Sequence, residues 1–175
     1  MTEPRPIVVD ASVAISIVRV EPEGPDAVAA LSQWTRNGAR IVVPSHFWLE
    51  VVNTLVRRYR WHGDAVLQSI HDLDRLRVET VDLDRAAVVL AIDMIERHRL
   101  TAYDATYLAL AVALDGSLMT LDAPLRTAAG SRALHFGPAR LSEMPAVYEH
   151  PVTWPNYKGA SAYLAKLRVQ AGRPG

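Results

Sequence analysis

The sequence feature that most restricts the fold is a set of short apolar runs that do not alternate with polar residues. They cover residues 7–9, 41–43 and 118–121, with a weaker run at 133–136. Strands that are buried on both faces have this pattern. Between the runs lie helical patterns at 26–36, 45–61, 64–76, 84–98 and 102–114, and a short one from Pro124. Strands that alternate with helices predict an α/β fold, with a mainly parallel sheet covered on both sides.

Two of the helical patterns also predict which side of the helix is buried. In the segment 84–98, apolar residues recur every three or four positions and form a stripe of Ala87, Val88, Ala91, Ile92 and Ile95. On a wheel of about 100° per residue, the segment 45–61 has an apolar side with Val52, Leu55, Val56 and Tyr59. Its polar side carries Glu50, Asn53, Thr54 and Arg57.

The composition limits the chemistry that is open to the chain. Its 175 residues, half of them hydrophobic, suffice for about one domain with a core of its own. The net charge is zero, which neither indicates nor excludes a nucleic-acid partner. Because the chain has no cysteine, disulfides and thiolate chemistry are excluded, and any metal is expected to be a hard ion with oxygen ligands. No apolar run approaches the ~18 residues of a membrane span, and we expect a cytoplasmic protein.

The character of the sequence changes at Pro138. Prolines recur from there to position 155, and a later segment places Ala160, Tyr163, Leu164 and Leu167 on one helical face. We expect one domain over residues 1–137 and a C-terminal extension with a short helix over 138–175. The extension would pack on the domain or on a second copy of it, or would be an arm that orders on a partner.

Four acidic residues stand where predicted elements begin or end. Asp10 and Asp122 follow apolar strands, Asp104 opens an otherwise apolar helix, and Glu50 lies on the polar side of the segment 45–61. In a parallel sheet, ligands bind beyond the carboxyl ends of the strands. Carboxylates that converge there repel one another unless a cation such as Mg²⁺ or Mn²⁺ neutralises them. Ions held in this way support phosphodiester hydrolysis.

Each of these acids also has a simpler interpretation. Asp10 and Asp122 could cap the helices that follow them. Thr101 is a good N-cap, and Asp104 in the first turn would complement the helix dipole. Asp84 is likewise interpreted as an N-cap. Taken singly, none of the acids decides between capping and chemistry.

Other enzyme classes lack their motifs. A dinucleotide-binding domain would need G-x-G-x-x-G after the first strand, and a serine hydrolase would need G-x-S-x-G, but neither is present. A haloacid-dehalogenase-like phosphatase would have a second Asp at position 12, which is Ser12. The six histidines show no paired ligand spacing, and no catalytic role is assigned to them.

Four stretches together resemble the motifs of PIN-domain ribonucleases, specifically VapC-like toxins of type II toxin–antitoxin pairs. They are IVVDASVAI, PSHFWLEVVNTL, LTAYDATYLALAVAL and LMTLDAPL, and the resemblance covers about residues 6–136. It implies that the catalytic and metal-binding residues are Asp10, Glu50, Asp104 and Asp122. It also implies that Ser12, Asn53 and Thr120 are small polar residues that support the acids or their waters.

The resemblance further implies a three-layer α/β/α fold and Mg²⁺- or Mn²⁺-dependent endoribonuclease activity. A homodimer and a cognate antitoxin, whose peptide reaches into the acidic groove, are implied as partners. The stretch RRYRWH at 57–62 suggests Arg57 and Trp61 as RNA contacts, with a solvated helix end as the alternative. The competing function is a PIN-like RNA- or partner-binding module with little or no catalysis. The presence of all four acids argues against it.

Overall fold

A four-stranded parallel sheet forms the centre of the computed structural model, which describes residues 4–137. The strands are β1 (Ile7–Val9), β2 (Ile41–Pro44), β3 (Glu79–Val81) and β4 (Ser117–Met119). Their order is β3-β2-β1-β4, and all neighbouring strands run parallel. In the register, Val8 lies beside Val42 and Leu118. The carboxyl end of β1 is therefore flanked by the ends of β2 and β4.

Within residues 4–137, seven α-helices connect and cover the strands. They are α1 (Ala11–Val18), α2 (Gly24–Arg36), α3 (Phe47–Asn53), α4 (Gly63–Asp74), α5 (Arg85–His98), α6 (Ala102–Ala113) and α7 (Ala123–Ala129). A π-helical segment, Thr54–Arg58, continues α3, and a 3₁₀ turn, Gly130–Arg132, follows α7. α6 packs against β1, β2, β4 and α5, whereas α1 packs with α2, α3 and α4. The predicted three-layer α/β/α fold is confirmed.

The core lies around β1, β2 and α6. Every residue of β1 and β2 is buried, which explains why their sequences do not alternate. α6 is buried without interruption from Ala105 to Ala111, since it lies between the sheet and α5. A helix that is apolar on all sides belongs in such a position. Within the described residues, no helix is long and apolar enough to cross a membrane.

The predicted apolar stripe of α5 is wrong in part. Ala91 and Met94 are buried, but Val88 and Ile92 are 49% and 50% exposed. α5 is an outer helix that packs on α6, and its apolar residues extend beyond the face that α6 covers. Together with Val89, which is 61% exposed, Val88 and Ile92 form an open apolar face.

The predicted helix 45–61 also differs from the structure. It begins at Phe47, changes to π-helical geometry at Thr54 and ends at Arg58. Its buried residues are Phe47, Val51 and Leu55, whereas Val52 is half-buried and Val56 is 39% exposed. Burial thus follows residues four positions apart, so the predicted apolar side was correct at Leu55 and wrong at Val56.

The strands differ from the prediction in three places. β3 was not predicted, because Glu79 and Thr80 are exposed and the edge strand contains no apolar run. The strand predicted at 118–121 ends at Met119, and the run at 133–136 contributes only an isolated bridge between Ala133 and Leu118. The predicted extension 138–175, with its short helix, lies outside the described residues.

Candidate active site

The four acids selected from the sequence line one pocket of about 450 Å³ at the carboxyl end of the sheet. We call it the acidic pocket. Its acids are Asp10, Glu21, Glu50, Asp104 and Asp122, and its other lining residues are Ala11, Ser12, Ile15, Thr54, Arg58, Tyr59 and Leu121. Because β1, α3, α6 and the loop after β4 each contribute, this pocket exists only in the folded chain.

Asp10 is the most deeply placed acid, and it is 4% exposed. It occupies the N-cap position of α1 but makes no capping hydrogen bond through its side chain. Its Oδ2 instead accepts hydrogen bonds from Ser12 Oγ at 2.5 Å and from Thr120 Oγ1 at 2.7 Å. Burial raises the pKa of Asp10, the two hydroxyls lower it, and the charge of Asp104 raises it further. The hydroxyls of Ser12 and Thr120 are therefore the main partners of the Asp10 carboxylate, and the backbone N–H of Ser12 adds a smaller contribution.

Asp104 is both part of a helix cap and part of the pocket wall. Thr101 Oγ1 accepts a hydrogen bond from the Asp104 backbone N–H at 3.2 Å and donates one to Asp104 Oδ2 at 2.7 Å. The predicted N-cap at Thr101 is thus confirmed. The same reciprocal contact fixes the carboxylate of Asp104 at the opening of α6, on the acidic pocket.

Asp122 is likewise both a helix cap and part of the pocket wall. Its Oδ1 accepts a hydrogen bond from the Leu125 backbone N–H at 2.8 Å, which confirms it as the N-cap of α7. Its own backbone N–H donates to Thr120 Oγ1 at 3.0 Å, and Thr120 in turn donates to Asp10. Ser12 makes a parallel link, because its Oγ accepts from the Leu121 backbone N–H at 3.0 Å. The two hydroxyls therefore join the loop after β4 to the carboxylate at the end of β1.

Glu50 is held by a tyrosine that the sequence analysis did not select. Tyr107, buried in α6, donates its hydroxyl to Glu50 Oε2 at 2.6 Å. Burial raises the pKa of Glu50 to about 7; the Tyr107 hydrogen bond lowers it, and the charges of Asp10 and Asp104 raise it. The pKa of Tyr107 is raised by burial and by Glu50 and Asp10, so the phenol stays protonated and remains a donor. Its apolar setting makes Tyr107 look like an ordinary core residue in the sequence.

His46 completes the surroundings of Glu50. Its Nε2 lies 3.5 Å from Glu50 Oε2 and 3.1 Å from Thr106 Oγ1. Since the Thr106 hydroxyl donates to the Tyr103 carbonyl at 2.6 Å, its oxygen is left to accept, which assigns a proton to Nε2 of His46. Burial lowers the pKa of His46, whereas the charge of Asp104 raises it. The histidine thus presents a neutral N–H beside the pocket.

Glu21, Arg58 and Tyr59 are further lining residues that the sequence did not single out. Glu21 forms an ion pair with Arg19, whose guanidinium carbon lies 3.6 Å from the centre of the Tyr59 ring. Arg58 approaches the same ring at 5.3 Å. Glu21 follows α1 in a loop with no motif, so only the three-dimensional structure places it among the acids.

Four predicted site residues do not line the acidic pocket, although the buried Thr120 among them contacts Asp10 through its hydroxyl. Asn53 and Arg57 line a neighbouring apolar pocket of about 770 Å³, which also contains Leu49, Val52, Val56 and Tyr103. Trp61 follows the end of the helix and packs partly buried on the core, so the helical wheel that placed it near Glu50 does not apply. The supporting role of Asn53 and the RNA contacts of Arg57 and Trp61 stay predictions.

The sequence that builds this fold matches a known domain family. The sequence profile of the PIN domain matches residues 7–131, a range that contains all five acids of the acidic pocket. The chain belongs to the PIN domain family.

Solved structures with a similar fold are distant in sequence. PAE2754 from Pyrobaculum aerophilum superposes with a TM-score of 0.54 at 18% identity, over 76% of this chain and 87% of that one. A toxin–antitoxin complex from Klebsiella pneumoniae gives 0.56 at 16% identity, over 74% and 96%. VapC20 of Mycobacterium tuberculosis, a sarcin-ricin loop cleaving toxin, gives 0.55 at 19% identity, over 71% and 95%. These likenesses support the PIN fold. No curated protein matches the sequence.

The donor set of this PIN domain fits a hard divalent cation. Within residues 4–137, no three Asp, Glu or His side chains lie close enough together to hold one ion between them directly. Mg²⁺, however, usually keeps several waters and binds through one or two carboxylates. Burial is the main cause of the raised pKa values of Asp10 and Glu50, and the charge of Asp104 raises both further, a repulsion that a bound cation relieves. The acidic pocket therefore has suitable ligand chemistry without a preformed cage.

Proposed function

We propose that this PIN domain is a metal-dependent endoribonuclease, the toxin of a toxin–antitoxin pair, that hydrolyses RNA phosphodiester bonds in the acidic pocket. The observation that carries the proposal is the convergence of Asp10, Glu50, Asp104 and Asp122 on one pocket. The VapC20 and Klebsiella pneumoniae structures, which share the fold, support the toxin assignment. We also propose that the nuclease unit is residues 1–137, that 138–175 is an appended segment, and that the protein acts in the cytoplasm.

The four acids would have different roles in binding Mg²⁺ or Mn²⁺. Asp10, Asp104 and Asp122 would hold the ion, in part through its bound waters. Glu50 would complete the cluster or a second metal site. When bound, such an ion lowers the pKa of water and stabilises the charge on the attacking and leaving oxygens of a phosphodiester. Ser12 and Thr120 keep the buried carboxylate of Asp10 in place, and Tyr107 does the same for Glu50. These neighbours hold the carboxylates where the substrate phosphate would enter.

A cognate antitoxin is proposed to cover the apolar pocket beside the site. Leu49 and Tyr103 on its rim are 72% and 61% exposed, which is unusual for large apolar side chains. A partner that buries them would lie directly next to Glu50, which lines both pockets. Co-purification of the protein encoded beside this chain, and loss of RNA cleavage in its presence, would test the assignment.

A homodimer is supported by the open apolar face of α5. Val88, Val89 and Ile92 are each about half exposed or more. A second copy of the chain would remove this face from water. Light scattering on the purified protein should give twice the mass of one chain, and Ile92→Asp should shift it towards the single mass.

The proposed activity is tested by cleavage of single-stranded and structured RNAs with Mg²⁺, with Mn²⁺ and with chelator. We expect cleavage that needs the metal and falls at least about 100-fold in Asp104→Asn, because a ligand change costs more than the 10–100-fold of an outer-shell change. Asp82→Asn, purified identically, changes an exposed acid that lines neither the acidic pocket nor the apolar pocket, and it should cut like the wild type.

Two results would contradict the proposal. Cleavage that persists equally in Asp104→Asn, or in chelator, would come from another site or from a contaminating nuclease. RNA binding without cleavage by the wild type would favour the binding module in place of the enzyme.

A further inference from the structure

The helix that carries Glu50 changes geometry just where it passes the acidic pocket. From Thr54 to Arg58 it is π-helical, and the backbone N–H of Tyr59 donates to the carbonyl of Thr54, five residues back, at 3.2 Å. A turn closed in this way holds about one residue more than an α-helical turn, and such turns are frequent at functional sites. The side chains that follow are therefore rotated relative to an ordinary helix.

The rotation changes which of two neighbouring arginines lines the acidic pocket. On an unbroken α-helix, Arg57 would lie on the side of Glu50. With the π-helical segment, the residues that follow Glu50 along the wall of the acidic pocket are Thr54 and Arg58. Arg57 lines the neighbouring apolar pocket instead. The helical wheel, which assumes an unbroken α-helix, therefore favoured Arg57, the residue next to Arg58.

Arg58 is the single basic residue among the described residues that line the acidic pocket. It is exposed, and within residues 4–137 it makes no ion pair, although four carboxylates selected from the sequence line the same pocket. Arg19, the other arginine against the ring of Tyr59, is paired with Glu21. The guanidinium of Arg58 is thus held beside an aromatic ring with its charge still available.

We propose that Arg58 binds a phosphate group of the RNA substrate in the acidic pocket, a role that rests on the proposed function. A phosphodiester entering this pocket meets carboxylates that repel it, and a cationic side chain at the rim offsets part of that repulsion. Guanidinium is suited to the task because its planar fork matches two phosphate oxygens. Tyr59 keeps the guanidinium at the rim through a cation–π contact.

The proposal is tested by binding of a fluorescently labelled single-stranded RNA in chelator at several KCl concentrations. We expect Arg58→Gln to raise the Kd roughly tenfold at low salt, through the loss of a charge-assisted contact. The slope of log Kobs against log [KCl] should become less steep by about 0.7, the value for one phosphate contact on a single strand. Arg58→Lys should restore the slope.

Arg60→Gln is the matched control, because it removes the same charge two residues away and Arg60 lines neither pocket. It should leave the slope unchanged. A role of Arg58 limited to offsetting the acids would alter the melting temperature of Arg58→Gln but not its salt slope, and that result would overturn the proposal. If Arg58→Gln fails to fold, Arg58→Met, which keeps the apolar stem and removes the charge, is measured in its place, and an unchanged slope there would overturn the proposal.

Cleavage of the same RNA with Mn²⁺ separates this inference from the proposed function. Wild-type cleavage with an unchanged kcat/KM and salt slope in Arg58→Gln would overturn the role of Arg58 and leave the nuclease standing. RNA binding by the wild type that depends on Arg58, with no cleavage, would overturn the nuclease and keep the phosphate contact. A wild-type protein that neither binds nor cuts RNA would overturn both.

Discussion

Three of the acids in the acidic pocket, Asp10, Glu50 and Asp104, accept hydrogen bonds from hydroxyl groups. Asp10 depends on the hydroxyl of Ser12 in the first turn of α1 and on that of Thr120 in the loop after β4, and Glu50 depends on the phenol of Tyr107. Because a buried carboxylate without such donors would turn or take up a proton, these hydroxyls decide how the site can act. The residues that hold a carboxylate are therefore as open to test as the carboxylates themselves.

Tyr107→Phe is expected to lower RNA cleavage roughly 10-fold, the size of effect typical for residues that orient metal ligands. The change removes the hydroxyl that donates a hydrogen bond to Glu50 and keeps the buried ring, so the variant should fold. Rates under saturating Mn²⁺, together with a melting curve, measure both effects. Tyr103→Phe is the control, since that exposed ring lies in the same helix and its hydroxyl makes no hydrogen bond within residues 4–137. Equal rates for the two variants would show that Tyr107 is only a core residue.

The sequence identified the carboxylates and, through the family resemblance, Ser12 and Thr120 beside Asp10, but not Tyr107 or Glu21. Asp10, Asp104 and Asp122 could be found because each lies at the end of a strand or the start of a helix, a position that the pattern reveals. Tyr107 could not, because a tyrosine in an apolar helix looks the same whether or not its hydroxyl has a task. Glu21 reaches the pocket from a loop whose path depends on tertiary packing.

At the scale of elements, the first turn of α6 both stabilises the helix and positions a residue of the acidic pocket. Thr101 caps the helix and, with the same hydroxyl, holds Asp104. Asp84 caps α5 in the ordinary way, with Oδ1 accepting from the Ala87 backbone N–H at 2.8 Å. In both helices the N-cap side chain accepts a hydrogen bond from a backbone N–H, but only the cap of α6 also holds a residue of the acidic pocket.

Thr101→Ala and Asp84→Ala should therefore have equal effects on stability and unequal effects on activity. Each is expected to cost about 1 kcal/mol of unfolding free energy in denaturant titrations, the usual value for a lost N-cap. Only Thr101→Ala should also slow cleavage, several-fold, because Asp104 loses a donor, and Thr101→Ser should recover it. Equal activity in the two alanine variants would mean that the cap does not position Asp104.

Most elements could be predicted from the sequence, and the failures have physical causes. α5 and α6 were found with nearly correct ends, because their apolar patterns are long. β3 was missed because an exposed edge strand needs no apolar run. The π-helical segment was missed because a wheel assumes constant geometry, and this one local change reassigned Arg57 and Arg58.

At the scale of the whole molecule, the acidic pocket is a stability cost in the metal-free protein. Folding raises the pKa of Glu50 from its usual 4.5 to about 7, and burial raises the pKa of Asp10 as well. The folded state then binds more protons than the unfolded state between these values. The free energy of unfolding must therefore fall as pH rises through that window.

We expect metal-free protein to lose stability between about pH 4.5 and pH 7, with Glu50 contributing on the order of 3 kcal/mol. Urea titrations in chelator across this range give the slope. Glu50→Gln should flatten the curve, and Glu96→Gln, an exposed glutamate outside the pocket, should not. A wild-type curve that rises steadily across the window would show that folding does not raise the pKa values of these carboxylates.

The most direct test of the account is a calorimetric titration of metal-free protein with Mn²⁺. We expect saturable binding that is weakened at least about tenfold in Asp10→Asn and in Asp104→Asn, and that is unchanged in Asp82→Asn. That result would make the acidic pocket a single cation site. Wild-type protein that binds no Mn²⁺, or that binds it equally well after both substitutions, would contradict the claim that these acids act together.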